Sequence, residues 1–196
     1  MSIGISERKT VLLRSFVPTL GMLLLAAGHA GAQGVLIDKS EIRFVSKQMG
    51  ANVEGRFRKW KANIVFTPKD LARSKADFEI DLASIDLASD ESEAEIKRQL
   101  WFDTAKYPVA KFVSNAVRNV GGDKYEVAGA LTIKGITRDA VVPVALKKDA
   151  SGNSVAEGSF TLKRLDYRVG EKEWADTETV ANEVLVRVRM VLPPVQ

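Results

Sequence analysis

Apolar and polar residues alternate with a period of two through most of the chain beyond residue 34, and that period constrains the fold more than any other feature. Successive side chains of a strand point to opposite faces, so alternation puts one face in a core and the other in water. Residues 76–82 show this cleanly: Ala76, Phe78, Ile80 and Leu82 on one face, Asp77, Glu79 and Asp81 on the other. Ile42 and Phe44 alternate with Glu41 and Arg43 in the same way. Tyr125, Val127, Leu131 and Ile133 oppose Glu126 and Lys134, while Val184, Val186, Val188 and Met190 oppose Arg187 and Arg189. The chain reads as all-β.

The segment 53–66 carries more information. Val53, Gly55 and Phe57 hold odd positions, whereas Trp60, Ala62, Ile64 and Phe66 hold even ones. Apolar parity flips across Arg58-Lys59, which predicts a bulge or sharp bend inside one long strand. Gly55 and Gly129, within alternating strands, predict bends that curve a sheet. Long, bent antiparallel strands point toward a closed barrel. Turns are expected at Asn119–Asp123, at Ala150–Asn153 and at Lys134-Gly135 with Thr137-Arg138-Asp139. Pro143, in an apolar run, marks an edge or bulged position because it lacks the ladder donor.

One helix is expected over residues 90–100. Asp90 and Glu93 have capping-box spacing, Lys97 and Arg98 suit the C-terminal end, and Ile96 with Leu100 forms a small apolar face that would cover one barrel end. No repeat or linker divides residues 33–196, which read as one domain.

Residues 1–32 read as a secretory signal. Arg8, Lys9 and Arg14 form a positive start, Ser15 to Ala27 is mainly apolar, and Ala30-Gly31-Ala32 offers the small residues of a cleavage site. The apolar stretch falls short of the roughly 20 residues that span a bilayer. An uncleaved anchor or buried helix is the alternative. Cleavage after Ala32 would leave 164 of the 196 residues, with 26 basic and 24 acidic side chains. That near-balance removes the basic signature of a nucleic-acid binder.

The signal would carry away His29, the only histidine, and the chain has no cysteine. Serine–histidine and cysteine–histidine catalysis, histidine-bound metals and disulfides would then be excluded. Glu171, Glu173, Asp176 and Glu178 are dense enough to suggest calcium, but they lack the spacing of a calcium loop and read as solvated. No metal site is expected.

With these elements in place, residues 33–196 resemble the YceI-like family of exported bacterial lipid-binding proteins. The resemblance rests on Ile37-Asp38-Lys39-Ser40 with Ile42-x-Phe44, on Val53-x-Gly55-x-Phe57-x-x-Trp60-x-Ala62-x-Ile64-x-Phe66, and on Ser84-Ile85. Trp101-Phe102-Asp103, Tyr107-Pro108, Phe112-x-Ser114, the run Gly129 to Thr137, and Arg164-x-Asp166-Tyr167 continue it. Ala62 stands where the family often has Gly, and Tyr167 where Phe is common.

The resemblance implies an extended antiparallel eight-stranded lipocalin-like β-barrel whose interior holds a long isoprenoid chain, a polyprenyl lipid or an isoprenoid quinone. An eight-stranded interior is just wide enough for one slender ligand. Phe44, Phe57, Ile64, Phe66, Phe78, Ile80, Phe112, Leu131, Ile133, Phe160 and Tyr167 are the candidate cavity lining. The basic set Arg56, Arg58, Lys59 and Lys61 is a candidate for an anionic headgroup, or else a solvated strand face.

The expected function is that of a periplasmic carrier without catalysis. No cofactor is expected besides the lipid, no nucleic acid, and at most transient membrane contact, with the protein a monomer or homodimer. The alternatives are a filled barrel acting as a stress-response or interaction module, and an enzyme on an apolar substrate with Tyr167 and Asp166 as acid or base.

Overall fold

The structure is a computed structural model that describes Met1 and residues 34–194. Apart from Met1, the signal expected over residues 1–32 lies outside the described residues. Ten strands form one antiparallel sheet: β1 (Glu41–Gln48), β2 (Ala51–Phe57), β3 (Trp60–Val65), β4 (Lys75–Asp81) and β5 (Ile85–Asp86). β6 (Val109–Gly121), β7 (Lys124–Ile133), β8 (Ile136–Lys148), β9 (Ser154–Lys163) and β10 (Glu183–Leu192) complete it, with one helix, α1 (Asp90–Ile96).

The sheet order is β3-β4-β6-β7-β8-β9-β10-β1-β2-β5. β3 begins one end of that order and β2, flanked only by the two-residue β5, lies next to the other, yet only Arg58 and Lys59 separate β2 from β3 in sequence. The chain itself therefore joins the two ends. Pairing runs through the join, because Arg58 N–H donates to Ser84 O and Asp81 N–H to Lys59 O, both at 3.0 Å. Taking β2 with β3, and β4 with β5, as two long bent strands, the sheet is a ring of eight strands. The parity flip at Arg58-Lys59 is the bend that permits this closure.

Turn chemistry matches the sequence in most places. β7 and β8 are joined by Lys134 (φ 49°) and Gly135 (φ 75°) alone, a two-residue hairpin with both residues left-handed. Thr137-Arg138-Asp139, expected within that turn, instead belongs to β8 and pairs with Ala130, Leu131 and Thr132. β6 carries irregularities between Ser114 and Ala116 and between Asn119 and Gly121; the first lies opposite Gly129.

The helix is shorter than expected. It stops at Ile96, and its cap is Ser89, whose hydroxyl accepts from Ser92 N–H at 3.3 Å. Glu93 accepts from Leu87 N–H at 3.0 Å rather than from the N–H of the cap, so the expected reciprocal box between Asp90 and Glu93 does not form. Beyond Ile96 the carbonyls of Ile96, Lys97 and Arg98 are claimed by Phe102, Thr104 and Asp103 N–H groups in a series of turns. Those turns carry Trp101 down into the core, which a continuing helix would not.

Inside the ring, Leu82, Ile85 and Met190 are almost fully buried; Val191, equally buried, has the opposite parity on β10 and lies on its other face. Each such side chain contributes about 1.5–3 kcal/mol of transfer free energy.

Candidate functional site

The inward faces do not meet in the middle. They enclose a cavity of about 270 Å³, close to the lower end of the roughly 300–1,000 Å³ usual for small-molecule sites. On β7 the lining runs from Tyr125 through Val127 and Leu131 to Ile133. That span corresponds to about 26 Å of strand, and roughly 20 Å along the axis of a tilted barrel. The space is long and slender.

All eleven candidates from the sequence lie on this lining. Phe44, Phe57, Ile64, Phe66, Phe78, Ile80, Phe112, Leu131, Ile133, Phe160 and Tyr167 surround the cavity, from seven of the strands (β1, β2, β3, β4, β6, β7 and β9), the loop after β3 and the turn that follows β9. Phe44 and Phe57 pack at a tilt with centroids 5.7 Å apart, and Phe78 and Phe112 likewise at 6.5 Å. The lining is overwhelmingly aliphatic and aromatic, with Ser46, Ser74, Lys75, Tyr125, Arg164 and Tyr167 as the members whose side chains bear oxygen or charge.

The two ends differ. At one, Phe66 and Tyr125 meet edge to face at 5.3 Å beside the exposed Lys75, which marks where the lining reaches solvent. At the other, segments 97–107 and 164–182 form a lid. Leu100 O accepts from Gly170 N–H (2.8 Å) and Glu171 N–H (3.0 Å), and Lys134 Nζ donates to Arg168 O at 2.7 Å. Trp101, Arg164, Tyr167, Val169 and Val180 are all buried there.

Arg164 organises the lid. Its side chain, 3% exposed, donates to five backbone carbonyls: Ala181, Val169, Gly170, Trp174 and Val180. Burial pulls its guanidinium below the usual arginine range. Its carbon centre also lies 5.7 Å from the Trp101 ring, which in turn packs on Trp174 at 5.4 Å. Sequence reasoning assigned neither Trp101 nor Arg164 to the site. For Arg164 a signal existed: it continues the inward parity of Ala156, Phe160 and Leu162. For Trp101 none did, because it stands in irregular chain.

The basic set is not part of the cavity. Arg56, Arg58, Lys59 and Lys61 are exposed on the outside, and Arg56 and Arg58 both clasp Asp86 at 2.6 and 2.5 Å. Those two hydrogen bonds hold the Asp86 carboxyl at about 2. The acidic residues 171–178 do not converge either. Glu171 pairs with Lys134 at 3.3 Å, and Asp176 accepts from Glu178 N–H and the Thr179 hydroxyl. No group of metal-binding side chains forms among the described residues.

A family model for the YceI-like domain matches residues 35–192. The chain belongs to the YceI-like family. A curated relative, a UPF0312 protein of Pseudomonas savastanoi pv. phaseolicola, is 32% identical over 160 residues, covering 76% of this chain and 83% of the relative. The crystal structure of Burkholderia cenocepacia BcnA is 39% identical, with a TM-score of 0.77 over 81% of this chain and 99% of that one. The structure of a polyisoprenoid binding domain from Saccharophagus degradans superposes with a TM-score of 0.66 at 16% identity, covering 84% and 99%. That likeness shows the YceI-like fold. No helix among the described residues is long and apolar enough to cross a membrane.

Proposed function

We propose that this YceI-like protein is a periplasmic carrier that holds a long isoprenoid lipid, a polyprenyl chain or an isoprenoid quinone, inside its barrel. The observation that carries the reading is the slender apolar cavity. A filled barrel would leave no such space. Burying one methylene contributes about 0.8 kcal/mol, so a five-carbon isoprene unit contributes on the order of 3 kcal/mol before the loss of its rotors. Several units in a row bind tightly with no charged anchor, and release slowly. Slow release suits storage or transport.

Two further points support it. The solved domain from Saccharophagus degradans is a polyisoprenoid binding domain, and the amino-terminal segment reads as an export signal. The enzyme alternative has little to stand on, since Tyr167 lies buried and no nucleophile–base pair lines the cavity among the described residues.

Native mass spectrometry of the exported protein, purified without detergent and then solvent-extracted, tests the reading. A shifted mass matching an extracted polyprenyl or quinone species is expected. A bare protein that also fails to take up added isoprenoid would overturn it. Phe78→Asp, a charge on the cavity wall, should abolish retention while the barrel remains folded by circular dichroism.

A further inference from the structure

We propose that the open end of the barrel is a docking face for an anionic phospholipid bilayer, through which cargo passes between membrane and cavity. The inference rests on the carrier reading and adds the surface that meets the membrane.

Four segments form the rim of that end: residues 34–40, 66–75, 118–124 and 147–153. Contacts tie them to one another and to the strand ends beside them. Phe66 packs on Tyr125 at 5.3 Å, Leu146 N–H donates to Asp123 O at 2.8 Å, and Val191 N–H donates to the Ser40 hydroxyl at 2.9 Å. Together the four segments hold eight basic and four acidic side chains. Lys39, Lys69, Arg73, Lys75, Lys124 and Lys148 are exposed and form no ion pair with another described residue. Of the acids, Asp149 is turned onto its own loop, where it accepts from the Ser151 and Asn153 N–H groups. The lidded end has the opposite balance, since residues 87–107 and 164–182 hold ten carboxylates and six cations. The barrel is polarised along its axis, positive around the mouth.

Apolar side chains stand among these cations. Ile37 and Val120, both on the rim, are 51% and 53% exposed. Lysines over phosphates and apolar tips in the headgroup region are the two contacts that hold a protein on an anionic bilayer. An acidic protein would match the charges alone. Continuity with the cavity decides between them: Lys75 belongs to the rim and also lines the cavity, together with Phe66 and Tyr125. Cargo leaving there enters whatever phase the rim touches. In water, each bare isoprene unit would slow exchange roughly a hundredfold. Against a bilayer the chain passes from one apolar phase to another.

The test is flotation of delipidated protein with phosphatidylcholine vesicles, with and without one third phosphatidylglycerol. Wild type should float with the anionic vesicles only, and less as salt is raised. A basic side chain near an anionic surface strengthens binding about fivefold. The double variant Lys69→Glu/Lys148→Glu should therefore bind about 25-fold more weakly, or worse. Lys47→Glu/Lys163→Glu makes the same change of net charge at the lidded end and should bind like wild type. All four lysines are exposed, so both variants should fold. The chain has no cysteine, so an environment-sensitive dye on a single introduced cysteine reports orientation. On anionic vesicles the dye should brighten at Val120→Cys and stay unchanged at Met49→Cys, which lies at the lid, where Met49 N–H donates to Thr179 O. Absence of flotation, equal flotation with neutral vesicles, equal losses in the two double variants, or brightening at Met49→Cys each overturns the docking face. Uptake of radiolabelled undecaprenol from detergent micelles is measured in parallel. Uptake that persists leaves the carrier standing through any of those failures, and its absence overturns the carrier reading itself.

Discussion

The ring of Phe44 lies directly over Gly55, its partner across β1 and β2, so that a Cβ at Gly55 would strike the ring edge and Leu87 Cδ2. Gly129 has a similar relation to Phe112, but backbone is also close: a Cβ there would lie 2.5 Å from Val113 O and 2.9 Å from Ser114 Cα. Both glycines let the sheet turn tightly beneath an inward ring.

The two positions should respond differently to alanine. At Gly55 the obstacles are ends of side chains, which can rotate, so Gly55→Ala should cost about 1 kcal/mol, the mild end of overpacking. The displaced Phe44 ring would then enter the cavity and reduce lipid retention. At Gly129 the backbone of β6 must move, and Gly129→Ala should cost roughly 3 kcal/mol. Urea unfolding of both variants checks the order, and equal losses would remove the backbone argument.

Arg164 should be the least replaceable side chain of the lid. Removing it orphans five carbonyls in buried or half-buried chain. Arg164→Met should destabilise by about 3–5 kcal/mol, and Arg164→Lys by nearly as much, since one ammonium cannot reproduce a planar five-donor fork. Tryptophan emission from Trp101 and Trp174, both packed in the lid, should shift to longer wavelength in each. A lysine variant as stable as wild type would show that the charge, rather than the fork, organises the lid.

Much of this architecture was legible in the chain. Period-two alternation found the strands, and the parity flip at Arg58-Lys59 found the bend that closes the ring. The same parity placed the strand-borne candidates on the lining, because inward orientation is decided residue by residue along a strand, whereas Tyr167 came from the family resemblance and sits in the turn after β9. What escaped reading lies in irregular segments. The lid's shape depends on hydrogen bonds between residues 97–107 and 164–182, which no local period encodes. The basic set was readable as a solvated strand face, but its clasp on Asp86 was not, because it depends on pairing between Arg56 and Asp86 across β2 and β5. The helix was overdrawn for a related reason: the apolar spacing of Ile96 and Leu100 continued, while tertiary contacts pulled Leu100 and Trp101 into the lid.

Asp86 makes stability depend on acid in a defined window. Its carboxyl is held at about 2 in the folded protein, against 3.8 ordinarily, by Arg58 and Arg56. A depressed carboxyl pKa contributes stability that is fully present above the unfolded value and is lost as pH falls through the folded one. The contribution should therefore be constant above pH 4 to 5 and decline between about pH 4 and pH 2. Urea midpoints of wild type and Asp86→Asn should differ at pH 6 and converge toward pH 2. A difference that persists undiminished at pH 2 would assign the effect to something other than this ionised pair.

Between β8 and β9 the ring has a local opening. β8 pairs with β7 along its whole length from Ile136 to Ala145, but with β9 only from Val144 to Lys148. β9 in turn pairs with β10 throughout, while its residues 159–163 have no partner on β8. The ladder ends next to Pro143, which has no N–H to donate, and this is the local edge that the proline foretold. Amides that face the opening should exchange with solvent far faster than those facing a ladder. Every second amide in Ser159–Lys163 should therefore lose protection early, alternating with slow ones bonded to β10. Ser154–Gly158, paired on both sides, should be slow throughout. Hydrogen exchange followed by NMR resolves this alternation. Uniform protection from Ser154 to Lys163 would mean that β8 and β9 pair beyond Pro143 in solution.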